Sequence, residues 1–131
     1  MSLRIRLAKE DDLAFVIDAW RRSFEGAPAV RGCDREHYRI EMTRAIRRLL
    51  DRAECRVAVD AEDDDTIAGF VAFTGPELHY AYTKQDFRGM GIARQLLEGA
   101  TISSYTFQSN NARPPKGWRY TPRFTIDHGF R

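Results

Sequence analysis

Cysteine is scarce in this chain: Cys33 and Cys55 are the only two among 131 residues, and they form no Cys-x-x-Cys pair. Their number and spacing argue against a disulfide framework and a structural zinc centre, and point to a reducing compartment. Long hydrophobic runs are missing as well. The longest, Ile67 to Phe73, is far too short to span a bilayer. The first ten residues already hold Arg4, Arg6, Lys9 and Glu10, unlike a signal peptide. Neither sign of charge dominates: 21 Lys and Arg against 19 Asp and Glu leave a net +2, so composition announces neither a nucleic-acid nor a membrane partner. At 43% hydrophobic residues, the expectation is a single cytoplasmic globular domain over residues 1–131, with a core that needs no staples.

The pattern along the chain is that of an α/β protein. Leu3, Ile5 and Leu7 alternate with Arg4 and Arg6, the period of a strand with one buried face. Glu10, Asp11 and Asp12 open a helix whose Leu13, Val16, Ile17 and Trp20 share a side, and Arg21 and Arg22 close it. Gly26, Pro28 and Gly32 mark a loop. A second helix is predicted from about Asp34, a good N-cap, to about Arg52, with Tyr38, Met42, Ala45, Ile46, Leu49 and Leu50 as its apolar stripe. Its arginines read as a solvated face. Cys55 to Val59 and Ile67 to Phe73 are strands joined by an acidic stretch, Asp60 to Thr66. That stretch lacks the EF-hand spacing and reads as a solvated turn, not a metal site. Gly75 and Pro76 precede a third strand, Glu77 to Thr83. Strict alternation would turn Glu77, His79, Ala81 and Thr83 one way and Leu78, Tyr80 and Tyr82 the other.

That strand runs into Gln85-Asp86-Phe87-Arg88-Gly89-Met90-Gly91-Ile92-Ala93-Arg94-Gln95-Leu96-Leu97, where the chemistry is concentrated. Gly89 and Gly91 permit positive φ or close approach to a ligand, and Ile92, Leu96, Leu97 and Ala100 fall at helical spacing. The first amides of a helix have no internal acceptor and lie at its positive end, so this turn suits a phosphate or pyrophosphate. It is neither a Walker loop, which needs Gly-Lys-Ser/Thr, nor a Gly-x-Gly-x-x-Gly dinucleotide fingerprint.

Arg88-Gly89-Met90-Gly91-Ile92-Ala93 does resemble the Arg/Gln-x-x-Gly-x-Gly/Ala motif of the GNAT acyltransferase superfamily, matching at Arg88, Gly91 and Ala93. The order of strand, two helices, three strands, glycine turn and helix is similar to that family from residue 3 to about 108. The resemblance implies a mixed, mostly antiparallel sheet flanked by helices, with a shortened carboxyl-terminal part. It implies acetyl-coenzyme A as co-substrate. The amides of Arg88, Gly89, Met90, Gly91, Ile92 and Ala93 would hold the pyrophosphate, and backbone groups near Ala81, Tyr82 and Thr83 would pair with the pantetheine arm. The strand then splays from the next one, expected at Ile102 to Gln108. Acetyl transfer to a primary amine of a small molecule or peptide is the implied reaction, by direct attack.

Such a transfer needs a base for the ammonium proton and an acid for the departing thiolate. Glu77, eleven residues ahead of Arg88, resembles the catalytic glutamate of the histone-acetylating branch. His79 is the alternative base, with an unperturbed pKa of ~6.5. The carboxyl end departs from the family. Asn110 and Asn111 are followed by Pro114, Pro115 and Gly117, which cannot make the usual regular helix with its acid tyrosine. Gly129-Phe130 resembles the family's Gly-Phe turn, and the last strands are absent or reduced to Tyr120 to Ile126. Tyr120 or Tyr105 is then the candidate acid. An open sheet edge invites a homodimer. The tail carries Arg113, Lys116, Arg119, Arg123 and Arg131 among Trp118, Tyr120 and Phe124. This composition suits nucleic acid, a solvated tail, or the 3′-phosphate of coenzyme A. A degenerate domain that binds acyl-coenzyme A or a macromolecule without turnover is the alternative to an enzyme.

Overall fold

A computed structural model of the chain describes residues 2–25, 32–106 and 115–121. Strand β1 (Leu3–Leu7) leads through a 3-10 turn at Glu10–Asp12 into α1 (Leu13–Arg22), and α2 (Arg35–Leu50) follows. Next come β2 (Glu54–Asp60), β3 (Asp63–Thr74) and β4 (Glu77–Thr83), a second 3-10 turn at Gln85–Phe87, α3 (Ile92–Leu96), β5 (Ser104–Tyr105) and β6 (Arg119–Tyr120). The strands lie in one sheet in chain order. β1 to β4 are antiparallel, whereas β5 runs parallel to β4 and β6 parallel to β5. This is the mixed, mostly antiparallel sheet expected.

The central strands read as continuous apolar runs because both faces of the sheet are covered. On one face Val16, Ile17 and Trp20 of α1 and Tyr38, Met42 and Ile46 of α2 pack on Val57, Val59, Phe70 and Ala72. On the other face Ile92 and Leu96 of α3 pack on Ala58, Ala68, Val71 and Phe73. Trp20 also stacks on Tyr80, ring centroids 5.3 Å apart. Truncating a fully buried side chain such as Trp20 or Ile46 to alanine would cost about 2–5 kcal/mol. The Asp34 cap is present, its carboxylate accepting from the His37 amide at 3.1 Å.

Four sequence expectations are corrected. β1 alternates as expected but has no buried face: Ile5 and Leu7 are exposed on this strand. Asp63, Asp64 and Asp65 belong to β3, leaving a tight turn after Asp60, because the ladder with β2 extends to the Asp60–Asp63 pair. α3 ends at Leu96, and Ala100 lies beyond the helix although it packs against the same apolar cluster. Gly99, at φ 83°, adopts a conformation that a helix does not continue through. β5 spans Ser104–Tyr105 instead of Ile102 to Gln108, and Gln108 lies outside the described residues.

The acidic stretch clasps the amino terminus. Asp64 accepts from Arg4, from Arg6 Nε at 2.9 Å and from Lys9 Nζ at 2.9 Å. Arg6 also forks onto Asp12, Nη1 to Oδ2 at 2.7 Å and Nη2 to Oδ1 at 3.2 Å. Asp12 Oδ2 takes the Lys9 amide too, closing the turn into α1. The Arg6 guanidinium holds the Asp12 carboxyl below its ordinary 3.8, against the opposing effect of burial. A depressed carboxyl pKa contributes stability that is fully present above the ordinary value and lost as pH falls through the folded value. Asp12→Asn is therefore expected to lower stability by about 2 kcal/mol at neutral pH. Its thermal midpoint should drop by on the order of 5–10 °C. The gap to wild type should narrow as pH is taken below about 4; a gap independent of pH would rule out the ion pair as its source.

Candidate active site

Chemistry is placed by an irregularity in β4. Ala72 pairs with Tyr80 and Phe73 with Leu78, so the ladder register skips His79, an extra residue in β4. A bulge resets the alternation of side chains. Tyr80 and Tyr82 pack with the α1/α2 face, whereas Leu78 packs with the α3 face. Glu77, opposite Thr74, accordingly lies on the α1/α2 side, while Ala81 and Thr83, opposite Val71 and Gly69, lie on the α3 side. Strict alternation from Glu77 to Thr83 is thus corrected: the carboxylate does not share a face with Ala81 and Thr83.

His79 is 3% exposed. Its Nε2 lies 2.8 Å from Thr74 Oγ1 and its Nδ1 2.7 Å from Thr106 Oγ1, so the ring ties β3 and β4 to the chain just after β5. The parallel ladder to β5 runs through Glu77–Ser104 and Leu78–Tyr105, and the Thr106 amide donates to Leu78 O at 2.9 Å. Beyond that point β4 continues to Thr83 with β3 as its sole partner strand among the described residues.

At the far end the chain folds into the glycine loop. The Lys84 amide donates to Ala68 O at 2.8 Å, and Arg88 Nε reaches back to Thr83 O at 3.2 Å. Arg88 thus fixes the turn. Gly89 and Gly91 have φ of 83° and 75°, and a Cβ on either would meet nothing within 4 Å; the left-handed backbone, not crowding, calls for glycine here. The amides of residues 89 to 94 find no backbone acceptor among the described residues. Arg88, Gly89, Met90 and Gly91 are exposed, Ala93 is half-buried, and Ile92 is buried as an anchor. Donors without backbone acceptors in a largely exposed turn fit a pyrophosphate. Tyr82 is a packing residue, its ring 5.4 Å from Phe70 and 6.1 Å from Phe15. Gly69 had gone unnoticed in the sequence: a Cβ there would sit 2.5 Å from Tyr82 O. A glycine inside an apolar strand is itself a signal of close backbone approach.

At the other end of β4, Glu77 is half-buried and accepts from Thr121 Oγ1 at 3.2 Å. β6 delivers this contact, with the Thr121 amide on Tyr105 O at 2.8 Å and the Arg119 amide on Ser103 O at 3.1 Å. Tyr120 is 48% exposed and stacks on Tyr105, centroids 5.3 Å apart. Glu77, Tyr105 and Tyr120 therefore lie at one end of the sheet, with both tyrosines in register with Leu78 on the α3 side and Glu77 on the other face. Lys116, Trp118 and Arg119 of the basic tail are described; Arg113, Arg123, Phe124 and Arg131 lie outside the described residues, as do Asn110, Asn111, Pro114 and Gly129-Phe130. Burial pushes the Cys55 thiol up to about 12, which disqualifies it as a nucleophile near neutrality. Among the described residues no group of three metal-ligating side chains is assembled, and no helix is long and apolar enough to cross a membrane.

Six residues of strand, ~20 Å at 3.3 Å each, separate the loop from the carboxylate. The glycine loop and the Glu77 carboxylate thus stand at opposite ends of β4. Residues 13–107 match the acetyltransferase (GNAT) family, and the chain belongs to it. The chain is 31% identical to the peptidyl-lysine N-acetyltransferase YjaB of Salmonella typhimurium, over 97% of its own length and 90% of the relative's. The solution structure of apo-form YjaB from Escherichia coli is similar at a TM-score of 0.52 and 28% identity. That match covers 75% of this chain and 63% of the solved one, slightly under two thirds of its length. An acetyltransferase fold from Pyrococcus furiosus superposes at a TM-score of 0.65 over 84% of this chain and 85% of the other, at 16% identity.

Saturating acetyl-coenzyme A at about a hundred times its Kd should stabilise the protein by about 2.7 kcal/mol, raising the thermal midpoint by on the order of 10 °C. Gly91→Glu, which puts a carboxylate and a strained φ into the loop, should abolish that shift; an unchanged shift would move the cofactor elsewhere. Gly69→Ala is expected to lose about 1–3 kcal/mol of stability as β4 is pushed from β3, read by denaturant unfolding.

Proposed function

We propose that the chain is a single-domain N-acetyltransferase acting on a primary amine, namely a lysine side chain presented by a peptide or protein. Its co-substrate, acetyl-coenzyme A, supplies the thioester whose acetyl carbon the amine attacks. The amides of Arg88 to Ala93 receive the pyrophosphate, and the backbone of Ala81 to Thr83 lines the pantetheine arm. Glu77 takes the proton from the incoming ammonium, directly or through water, so that the nitrogen can form the new N–C bond. Tyr120 gives its phenolic proton to the sulfur as the C–S bond breaks. His79, buried between two hydroxyls, serves better as a tie between strands than as a proton carrier.

The observation that carries this reading is the placement of Glu77: it stands at the end of β4 remote from the loop, on a strand bulged at His79, with Thr121 on its carboxylate. Support for lysine comes from the peptidyl-lysine activity in the name of the Salmonella relative.

Glu77→Gln should lower kcat/KM for acetylation of a lysine peptide by about 10²–10⁴-fold, with acetyl-coenzyme A affinity unchanged in calorimetry. Full turnover in that variant would remove Glu77 from the base role. Tyr120→Phe should depress kcat with little effect on cofactor binding, and a normal kcat would exclude it as the acid.

A further inference from the structure

α3 is five residues long, too short to hold itself together in water, yet its first turn carries the last two residues of the glycine loop, Ile92 and Ala93. Its apolar side is anchored by Ile92 and Leu96. Its other end is held by a residue that none of the sequence motifs includes. Arg56 of β2 extends its guanidinium to the end of α3, Nη1 donating to Leu96 O at 3.0 Å and to Glu98 O at 2.8 Å. Leu96 O is a carbonyl that a helix terminus leaves without an internal partner, at the negative end of its dipole, and Glu98 O lies just beyond the C-cap. The guanidinium also lies over the Phe73 ring, 4.9 Å from its centroid, and its Nε pairs with Glu54. A planar fork oriented on one side by a carboxylate and beneath by an aromatic face has little freedom left.

We propose that Arg56 is a positioning residue for the cofactor loop: it clamps the carboxyl end of α3 to β2 and so sets the direction of the amides at its amino end. The lever is short. Five residues rise about 8 Å, so a tilt released at Leu96 is transmitted to Gly91 and Ile92 without an intervening joint. β2 is a suitable base, since Val57, Ala58 and Val59 beside Arg56 are fully buried in the middle of the sheet. The inference rests on the loop being the acetyl-coenzyme A site.

The test is calorimetric titration of acetyl-coenzyme A into wild type, Arg56→Met and Arg56→Lys, with steady-state kinetics beside it. Methionine keeps an apolar stem over Phe73 and removes the donors. Arg56→Met should raise Kd and KM for acetyl-coenzyme A about tenfold, while kcat at saturation stays within about twofold of wild type. Arg56→Lys should fall between the two, and it carries the comparison if Arg56→Met does not fold. Wild-type affinity in Arg56→Met overturns the proposal. So does wild-type affinity in Arg56→Lys beside weak binding in Arg56→Met, because the effect would then be one of charge alone. Amide exchange without cofactor separates this inference from the reading it rests on. Residues 95 to 98 should exchange faster in Arg56→Met than in wild type, with β2 and β3 unchanged; no difference overturns the clamp. Absence of acetyl-coenzyme A binding to wild type would sink the cofactor site itself.

Discussion

Between Phe73 and Ala72 the chain of β3 advances by one residue, while β4 must advance from Leu78 to Tyr80, and His79 is left over. A surplus residue in an antiparallel ladder has to leave the pairing plane, and here its ring is received by hydroxyls of Thr74 and Thr106. Much of the site follows from that accommodation. The strand keeps Tyr80 and Tyr82 in the helix-covered core and still presents Ala81 and Thr83 on the side of α3. The parallel ladder to β5 stops at the same point among the described residues, beyond which β4 has backbone to offer a ligand. Burying an imidazole is tolerable because both its nitrogens find polar partners, whereas an unsatisfied buried ring would cost about 1–3 kcal/mol.

The loop is held from outside. Ile92 and Leu96 provide burial, Gly69 lets the backbones of β3 and β4 close up, Arg88 returns to Thr83 and Arg56 reaches the last carbonyls of α3. None of these contacts occupies the amides of residues 89 to 94, which have no backbone acceptor among the described residues. Donors arranged before a ligand arrives spare it the cost of ordering them. The same logic applies to Glu77, whose carboxylate is met by a threonine that β6 brings from the carboxyl-terminal segment.

Burial is concentrated on the α1/α2 side of the sheet. The aromatic and aliphatic core lies between the sheet and the α1/α2 pair, and the ion pairs of Asp12 and Asp64 lock β1, the entry to α1 and the start of β3 into one unit. The α3 side, by contrast, is covered by a single short helix among the described residues, with Leu7 left 63% exposed on β1.

Order and type of the elements through α3 were legible in the sequence, because each depends on local chemistry. Alternation in β1, the apolar stripes of α1 and α2, the Asp34 cap and the positive φ of Gly89 and Gly91 are properties of neighbouring residues and of their own backbone. The motif Arg88 to Ala93 was legible for the same reason, and it carried the family with it. The bulge was not, since Glu77 to Thr83 alternates without any local sign of a surplus residue; its existence is settled by how β3 and β5 pair with it. Asp63 to Asp65 look like a turn because they are acidic, yet the ladder with β2 extends to Asp63, and Arg4, Arg6 and Lys9 from the amino terminus hold Asp64. Sequence alone thus determined which residues form the loop and which strand feeds it. Only the tertiary structure decided which face Glu77 occupies, that Thr106 and Thr121 meet His79 and Glu77, and that Arg56 caps a helix forty residues away, because those contacts join segments that no local periodicity relates.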